Sequence, residues 1–285
     1  MDRQAIPYVV ATRSEVDLLD RDATRALFEK YRPDTVLHTA ARVHGLMGNQ
    51  RFPAEMFDDN LAINFNVITA GRAVGVKKFT VASTVAAYPG DLVTDIHEDQ
   101  YLAGKPHAGE SAYAHAKRAM LAQLNAYKVQ YGISYAYAIL TNLYGPNDRF
   151  DIENGHVIPS LIAKFHTARR EGTPVKVWGT GRARRDFMFI DDAADAMLRL
   201  AEVAEGPVNV ATGITLPIAR VVEILSGLSG VTDIIWESDK PEGQLDRSYD
   251  VSRLRAAGYE ARFTLEEGLK QTWDWYAAHW PDLRS

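Results

Sequence analysis

Short apolar runs ending in small residues, separated by stretches of helical spacing, limit what this chain can fold into. Pro7–Thr12, Thr35-Val36-Leu37-His38-Thr39-Ala40-Ala41, Lys78-Phe79-Thr80-Val81-Ala82-Ser83 and Ser134–Leu140 read as strands. Asp20–Tyr31 has helical spacing behind an Asp in capping position, and a second helix is expected over Asn60–Val74. Strands that alternate with helices pair in parallel, with helices on both faces of the sheet. The expected class is therefore α/β, a Rossmann-like doubly wound parallel sheet. Such sheets gather ligands at the carboxyl ends of their strands, where Arg13, Ala40–Ala41 and Ser83–Thr84 fall.

The chemistry centres on Ser111-Ala112-Tyr113-Ala114-His115-Ala116-Lys117. A tyrosine and a lysine four apart share a helix face. A free phenol titrates near ~10, so acid/base work at neutral pH needs help of about three units, or roughly 4 kcal/mol. A close ammonium helps in the right sense, because it favours the phenolate. The same spacing also occurs on ordinary solvated helix faces, so the pair takes its meaning from the rest of the chain.

Other chemistries are excluded by composition. The 285 residues contain no cysteine, which removes disulfides, thiolate metal sites and a cysteine nucleophile and fits a reducing compartment. A net charge of -5 argues against a nucleic-acid face. Met1-Asp2-Arg3-Gln4 is not a secretory signal, and no apolar run reaches the ~18 residues that span a bilayer. A cytoplasmic protein without metal or membrane partner is expected.

In the second half, Thr141-Asn142-Leu143-Tyr144-Gly145-Pro146 follows a strand, residues 147–155 read as a loop, and Gly155-His156-Val157-Ile158-Pro159 comes next. Trp178-Gly179-Thr180-Gly181 has two glycines but no helix after it, so it is not a phosphate loop. Arg182-Ala183-Arg184-Arg185-Asp186-Phe187 leads through Met188-Phe189-Ile190 to Asp191-Asp192, read as a strand and an N-capped helix. Val208-Asn209-Val210-Ala211-Thr212-Gly213 reads as strand and turn, and Lys240-Pro241-Glu242-Gly243 precedes Arg247. Leu265–Tyr276, with Trp273 and Trp275, reads as a packing helix.

With Ala82-Ser83-Thr84-Val85-Ala86-Ala87-Tyr88-Pro89 and Ala41-Arg42-Val43-His44-Gly45, these segments run in the order of the extended short-chain dehydrogenase/reductases. Within them the chain resembles the GDP-L-fucose synthase family, epimerase/reductases acting on GDP-4-keto-6-deoxymannose. The resemblance implies Tyr113 as acid/base and Lys117 as the cation that lowers its pKa and holds the nicotinamide ribose. It implies Thr84 as the hydroxyl that positions the substrate carbonyl, with Ser83 beside it as the fallback, and His156 as an epimerising acid/base. It implies NADP(H) as cofactor: Arg13 beside the adenosine ribose, Asp17 and Leu18 flanking the adenine, Ala40 and Ala41 along the diphosphate and ribose, and Leu143 near the nicotinamide. A guanidinium at Arg13 suits a 2′-phosphate. The implied substrate contacts are Thr84, Asn142, His156, Val157, Lys164, Trp178, Arg185 and Arg247, the last closing over the nucleotide. A homodimer through the helix bearing Tyr113 and its neighbour is implied as well. A cofactor-binding domain over 1–145 and a nucleotide-sugar lobe over 146–285, with some segments returning to the main sheet, would follow.

Two departures from that pattern stand out. The family's second epimerising group is a cysteine at the position of Ala86, and alanine transfers no proton. That puts double epimerisation in doubt and leaves 4-keto reduction, or epimerisation at one carbon. Matched to the family, the chain also starts near the end of the first helix, so the first strand and the Gly-x-x-Gly-x-x-Gly loop that cradles a diphosphate are not in it. Three explanations are open: a start at an internal Met of a longer protein, a segment supplied by another chain, or a sheet closed up over the gap in a protein that no longer binds a dinucleotide in the usual way. The expected function is an NADPH-dependent ketoreductase/epimerase of a GDP-4-keto-6-deoxyhexose. The alternative is an impaired or repurposed nucleotide-sugar-binding homologue.

Overall fold

A computed structural model describes residues 7–43, 46–152, 155–240 and 246–282. In chain order the elements are α1 (Arg21–Tyr31), β1 (Thr35–His38), α2 (Leu46–Arg51), α3 (Pro53–Val74), β2 (Lys78–Thr84), α4 (Ser111–Tyr131), β3 (Ser134–Leu140), β4 (Asn142–Tyr144), α5 (Val157–Glu171), β5 (Val175–Trp178), β6 (Arg184–Phe189), α6 (Ile190–Val203), β7 (Gly206–Val210), β8 (Thr215–Pro217), α7 (Ile218–Ser229), β9 (Ile234–Glu237), α8 (Ser252–Ala256) and α9 (Leu265–His279). His44–Gly45, Pro241–Gly243 and the first four residues, named above, lie outside the described residues.

The main sheet has the order β1-β2-β3-β7, with every pair parallel. Its faces follow from the alternation along β3. Tyr135, Tyr137 and Ile139 point into a core with Ile68 of α3 and Met120 and Leu124 of α4, while Ala136 and Ala138 face Met197 and Leu200 of α6. Small residues on one face let α6 approach closely; large ones on the other fill the space under α3 and α4. Thr84, Leu140 and Val210 are register partners, so β2, β3 and β7 finish at one level. The remaining strands form β4-β6-β8 and β5-β9, packed with α5, α7 and α9 around Ile162, Phe165, Val221, Leu225, Leu269 and Trp273.

Three expectations need correction. Residues 7–12 are not a strand, and Tyr8, Val9 and Val10 are 44, 57 and 61% exposed. A strand is held by its hydrogen-bonded neighbour. In the doubly wound order that neighbour is the first strand, and no described strand lies there. For the same reason the sheet has not closed over the gap: β1 pairs with β2 but not with residues 7–12. Second, α3 begins at Pro53, seven residues before Asn60, because a proline at the first helical position is pre-set for the helix. Third, α6 has Phe189 at its N-cap and no side-chain cap. Asp192, 1% exposed, instead accepts from Tyr259 Oη (2.9 Å), Arg262 N (2.9 Å) and Phe263 N (3.0 Å), tying α6 to the segment before α9.

Candidate active site

Helix α4 carries Tyr113 and Lys117 over the carboxyl end of β2. Lys117 is 2% exposed; its Nζ donates to Ala82 O at 2.9 Å and lies 5.6 Å from the Tyr113 ring centre. Burial brings this ammonium down to about 8. Burial also pushes the Tyr113 phenol up, and Tyr101 and Glu110 add to the rise. In this arrangement burial sets the direction for the phenol, while the Lys117 ammonium is turned onto a strand carbonyl.

Thr84 ends β2, and its Oγ1 accepts the N–H of Ala86 at 3.1 Å, so its own O–H still needs an acceptor. Ser83 is engaged elsewhere. Its Oγ lies 2.6 Å from Tyr101 Oη and donates to Tyr137 Oη at 2.8 Å, and Tyr137 donates on to Lys117 O at 2.7 Å. This hydroxyl chain anchors the helix backbone at Lys117.

Several supporting residues were not singled out from the sequence. His38, at the end of β1, is 4% exposed, and its Nε2 lies 3.0 Å from Asn64 Oδ1. Burial first, then the Lys117 charge, lowers the imidazole to about 4, so it is neutral at ordinary pH. Asn64 Nδ2 is buried without a hydrogen-bond partner. Asn66 Nδ2 donates to Leu18 O (2.9 Å) and Leu19 O (3.2 Å) and so fixes the Asp17–Leu18 segment. Only tertiary proximity reveals these pairs; the sequence shows no more than asparagines inside a helix.

Among the residues expected near a dinucleotide, Arg13 is exposed on a turn, Asp17 Oδ1 accepts Leu19 N at 3.0 Å, and Leu18 packs on the main core. Ala40 and Ala41 follow β1, half-buried, and Leu143 lies in β4.

On the substrate side, Lys164 and Trp178 come together in a cleft of about 180 Å³, also lined by Ile152, Val157, Ser160 and Leu161. Lys164 Nζ lies 5.6 Å from the Trp178 ring centre, and the indole is 48% exposed. His156 precedes α5 with no capping bond from its ring. Asp148, missed in the sequence, has its carboxyl raised by burial and pulled back by Arg149 N–H and then by the neighbouring His156. Asn142 Nδ2 donates to Asp186 O at 3.0 Å. Arg185 is half-buried, with Tyr249, Arg247, Glu110 and Asp246 close enough for their charges to act on it. Arg247 departs from expectation: it is 6% exposed and turned inward, its three nitrogens on the carbonyls of Val85, Pro89 and Leu92. Among the described residues no cluster of three or more His, Cys, Asp or Glu is arranged to hold a metal, and no helix is long and apolar enough to cross a membrane.

A profile of the NAD dependent epimerase/dehydratase family matches residues 2–211. The GDP-L-fucose synthase 1 of Arabidopsis thaliana is 35% identical over 272 residues, which are 94% of this chain and 84% of that protein. A GDP-6-OMe-4-keto-L-xylo-heptose reductase from C. jejuni superposes with a TM-score of 0.90 at 25% identity, covering 98% of this chain and 92% of that one. A GDP-L-fucose synthetase from Naegleria fowleri, solved bound to NADP, also gives 0.90, at 29% identity over 97% of this chain and 87% of its own.

Proposed function

This chain belongs to the NAD dependent epimerase/dehydratase family, and from that membership we infer an NADP(H)-dependent reductase/epimerase of GDP-linked keto-sugars. The observation that carries the reading is the buried Lys117 ammonium beside Tyr113 at the strand end that presents Thr84. The relatives named above are enzymes, so the alternative of a repurposed binding protein is not adopted.

The residues present fit the nicotinamide end of the cofactor. Lys117 offers further N–H donors where strands end, and the buried Nδ2 of Asn64 near it lacks a hydrogen-bond partner. At the other end Arg13 would meet a 2′-phosphate, Asp17 and Leu18 the adenine, and Ala40, Ala41 and Leu143 the passing backbone of the ligand. When bound, NADPH supplies the hydride.

Everything else falls to the protein. A phenol held up by burial keeps its proton at neutral pH, which suits Tyr113 to protonating the oxygen of the carbonyl being reduced. Lys117 then stabilises the phenolate left behind. Thr84, through its O–H, orients that carbonyl. Lys164, Trp178 and Arg185 would hold the nucleotide diphosphate, with Asn142 and Val157 beside the sugar. His156 would move a proton at a carbon next to the carbonyl. Ala86 offers no second proton carrier, so the reaction is reduction at C4 with epimerisation limited to what His156 can do alone. We read the protein as cytoplasmic and as a homodimer through the outer faces of α3 and α4, where Phe65 and Val129 are exposed.

The test is NADPH oxidation with GDP-4-keto-6-deoxymannose, run in D2O. Tyr113→Phe should lower kcat by about 10²–10⁴-fold while GDP binding stays intact. Deuterium should enter the product at no more than one exchangeable ring carbon. An unimpaired Tyr113→Phe enzyme would sink the assignment.

A further inference from the structure

Two buried guanidinium groups grip the loop that follows Thr84. Arg118, next to Lys117 on α4, is 8% exposed and donates from Nε to Ala87 O (2.8 Å), from Nη1 to Gly104 O (2.8 Å) and from Nη2 to Ala103 O (2.9 Å). Arg247 reaches the same loop from the opposite end of the chain, donating from Nη1 to Val85 O (3.2 Å), from Nη2 to Pro89 O (2.6 Å) and from Nε to Leu92 O (3.4 Å). The acceptors just named for both arginines are backbone carbonyls, not carboxylates. Burying a cation without counter-charge is unfavourable unless its N–H groups find acceptors, and here the loop's carbonyls supply them.

The segment around Arg247 is laced to that loop by backbone bonds as well: Ser248 N to Val93 O at 3.0 Å, Ile96 N to Ser248 O at 3.1 Å and Asp250 N to Ile96 O at 3.1 Å. One side of the loop is therefore bound to the helix of Tyr113 and Lys117, and the other to a segment beside Arg185. A planar fork is required, because lysine is a point donor that could serve one or two of the three carbonyls but not hold them in register.

We propose that Arg118 and Arg247 are positioning residues for the reduction, clamping the turn that carries Thr84 against Tyr113. Arg247 acts through the carbonyls of Val85 and Pro89, not on the nucleotide. The inference rests on the roles given above to Thr84 and Tyr113.

The experiment compares Arg118→Lys and Arg247→Lys with the unaltered 285-residue chain, using steady-state kinetics, GDP titration calorimetry and amide hydrogen exchange. A displaced turn should lower kcat by about 10–100-fold in each variant. KM and GDP affinity should stay within a few-fold, and the amides of Tyr88, Gly90 and Leu92 should exchange faster. Arg247→Ala should recover part of its kcat in millimolar methylguanidinium. The proposal is overturned if Arg247→Lys weakens GDP binding tenfold or more while kcat and exchange at 88–92 are unchanged, since that is a nucleotide contact. If Arg118→Lys does not fold, the Arg247 variants decide alone. An unaltered chain with no turnover on any GDP-keto-sugar would count against the assigned reaction, and the exchange data would still judge the clamp.

Discussion

Lys117 shows how a buried charge can work against the fold that holds it. Burial sets its ammonium at about 8, against 10.5 when unfolded. The folded pKa is the lower one, so between pH 8 and 10.5 the unfolded chain binds more protons and stability rises with pH. Below pH 8 the whole penalty is present. A shift of 10.5 - 8 = 2.5 units corresponds to about 3 kcal/mol, offset by roughly 1 kcal/mol for the bond to Ala82 O. Lys117→Met should therefore be more stable than the parent by about 2 kcal/mol at pH 7 in urea unfolding, with the advantage fading through pH 8–10.5. A methionine variant less stable at pH 7 would show that the ammonium is better solvated than its burial implies. The sequence located Tyr113 and Lys117 by their spacing, but the burial that lifts the phenol was not legible there. Spacing predicts that two side chains meet; it does not say how deeply they are buried.

At the scale of elements, α3 and α4 each divide into an inner and an outer stripe. Inward, Asn60, Asn64, Val67, Ile68 and Gly71 of α3 and Ala114, Lys117, Leu121 and Leu124 of α4 are buried. At Gly71 a Cβ would meet the Phe79 ring at 2.5 Å, so the glycine lets α3 sit close on β2, a constraint that periodicity does not reveal. Outward, Phe65 is 46% and Val129 89% exposed, with Ala122 and Ala126 exposed along α4. Arg72 of α3 lies 5.0 Å from the Tyr131 ring of α4, so the two outer stripes share one side at that end. Apolar stripes of this kind on paired helices suit the proposed homodimer, whose core would resemble a helix bundle. Phe65→Glu and Ala122→Glu should each shift sedimentation velocity profiles from dimer to monomer at micromolar concentration, without loss of helical circular dichroism. Unchanged profiles in both variants would move the interface elsewhere. Helix identity was legible from apolar spacing and, at α1, from the capping Asp20; the boundaries of α3 were not, because Pro53 starts a turn that carries little apolar signal.

For the whole molecule, the proposed division at residue 145 describes chemistry better than it describes folding units. β7 comes from the second half, yet pairs with β3 through Ala136↔Gly206, Ala138↔Val208 and Leu140↔Val210. α6 covers the alanine face of β3. Asn209 of β7 accepts from Tyr88 Oη at 2.6 Å and donates its N–H to the buried Glu98 carboxylate at 2.8 Å. Glu98 in turn lies 3.4 Å from Arg253 Nε, again in the second half. The sequence suggested the strand at Val208–Val210 but not its neighbour, since a parallel partner is chosen by crossover length and sheet order rather than by local residues. Cutting the chain after Gly145 would strip β3 of one of its two ladders and uncover the faces against which Met197, Leu200, Val208 and Val210 are buried. Those four side chains leave with the second half, and the cover they give Ala136 and Ala138 goes with them, against a domain stability of only about 5–15 kcal/mol. Glu98 would also lose the N–H and the guanidinium that offset its burial, which already raises its carboxyl. A fragment of residues 1–145 should therefore show no cooperative thermal transition by circular dichroism at neutral pH, whereas the 285-residue chain should. A sharp transition in the fragment, with near-UV signal from packed tyrosines, would mean that β1, β2, β3 and α4 form a self-sufficient core and that β7 and α6 merely dock onto it.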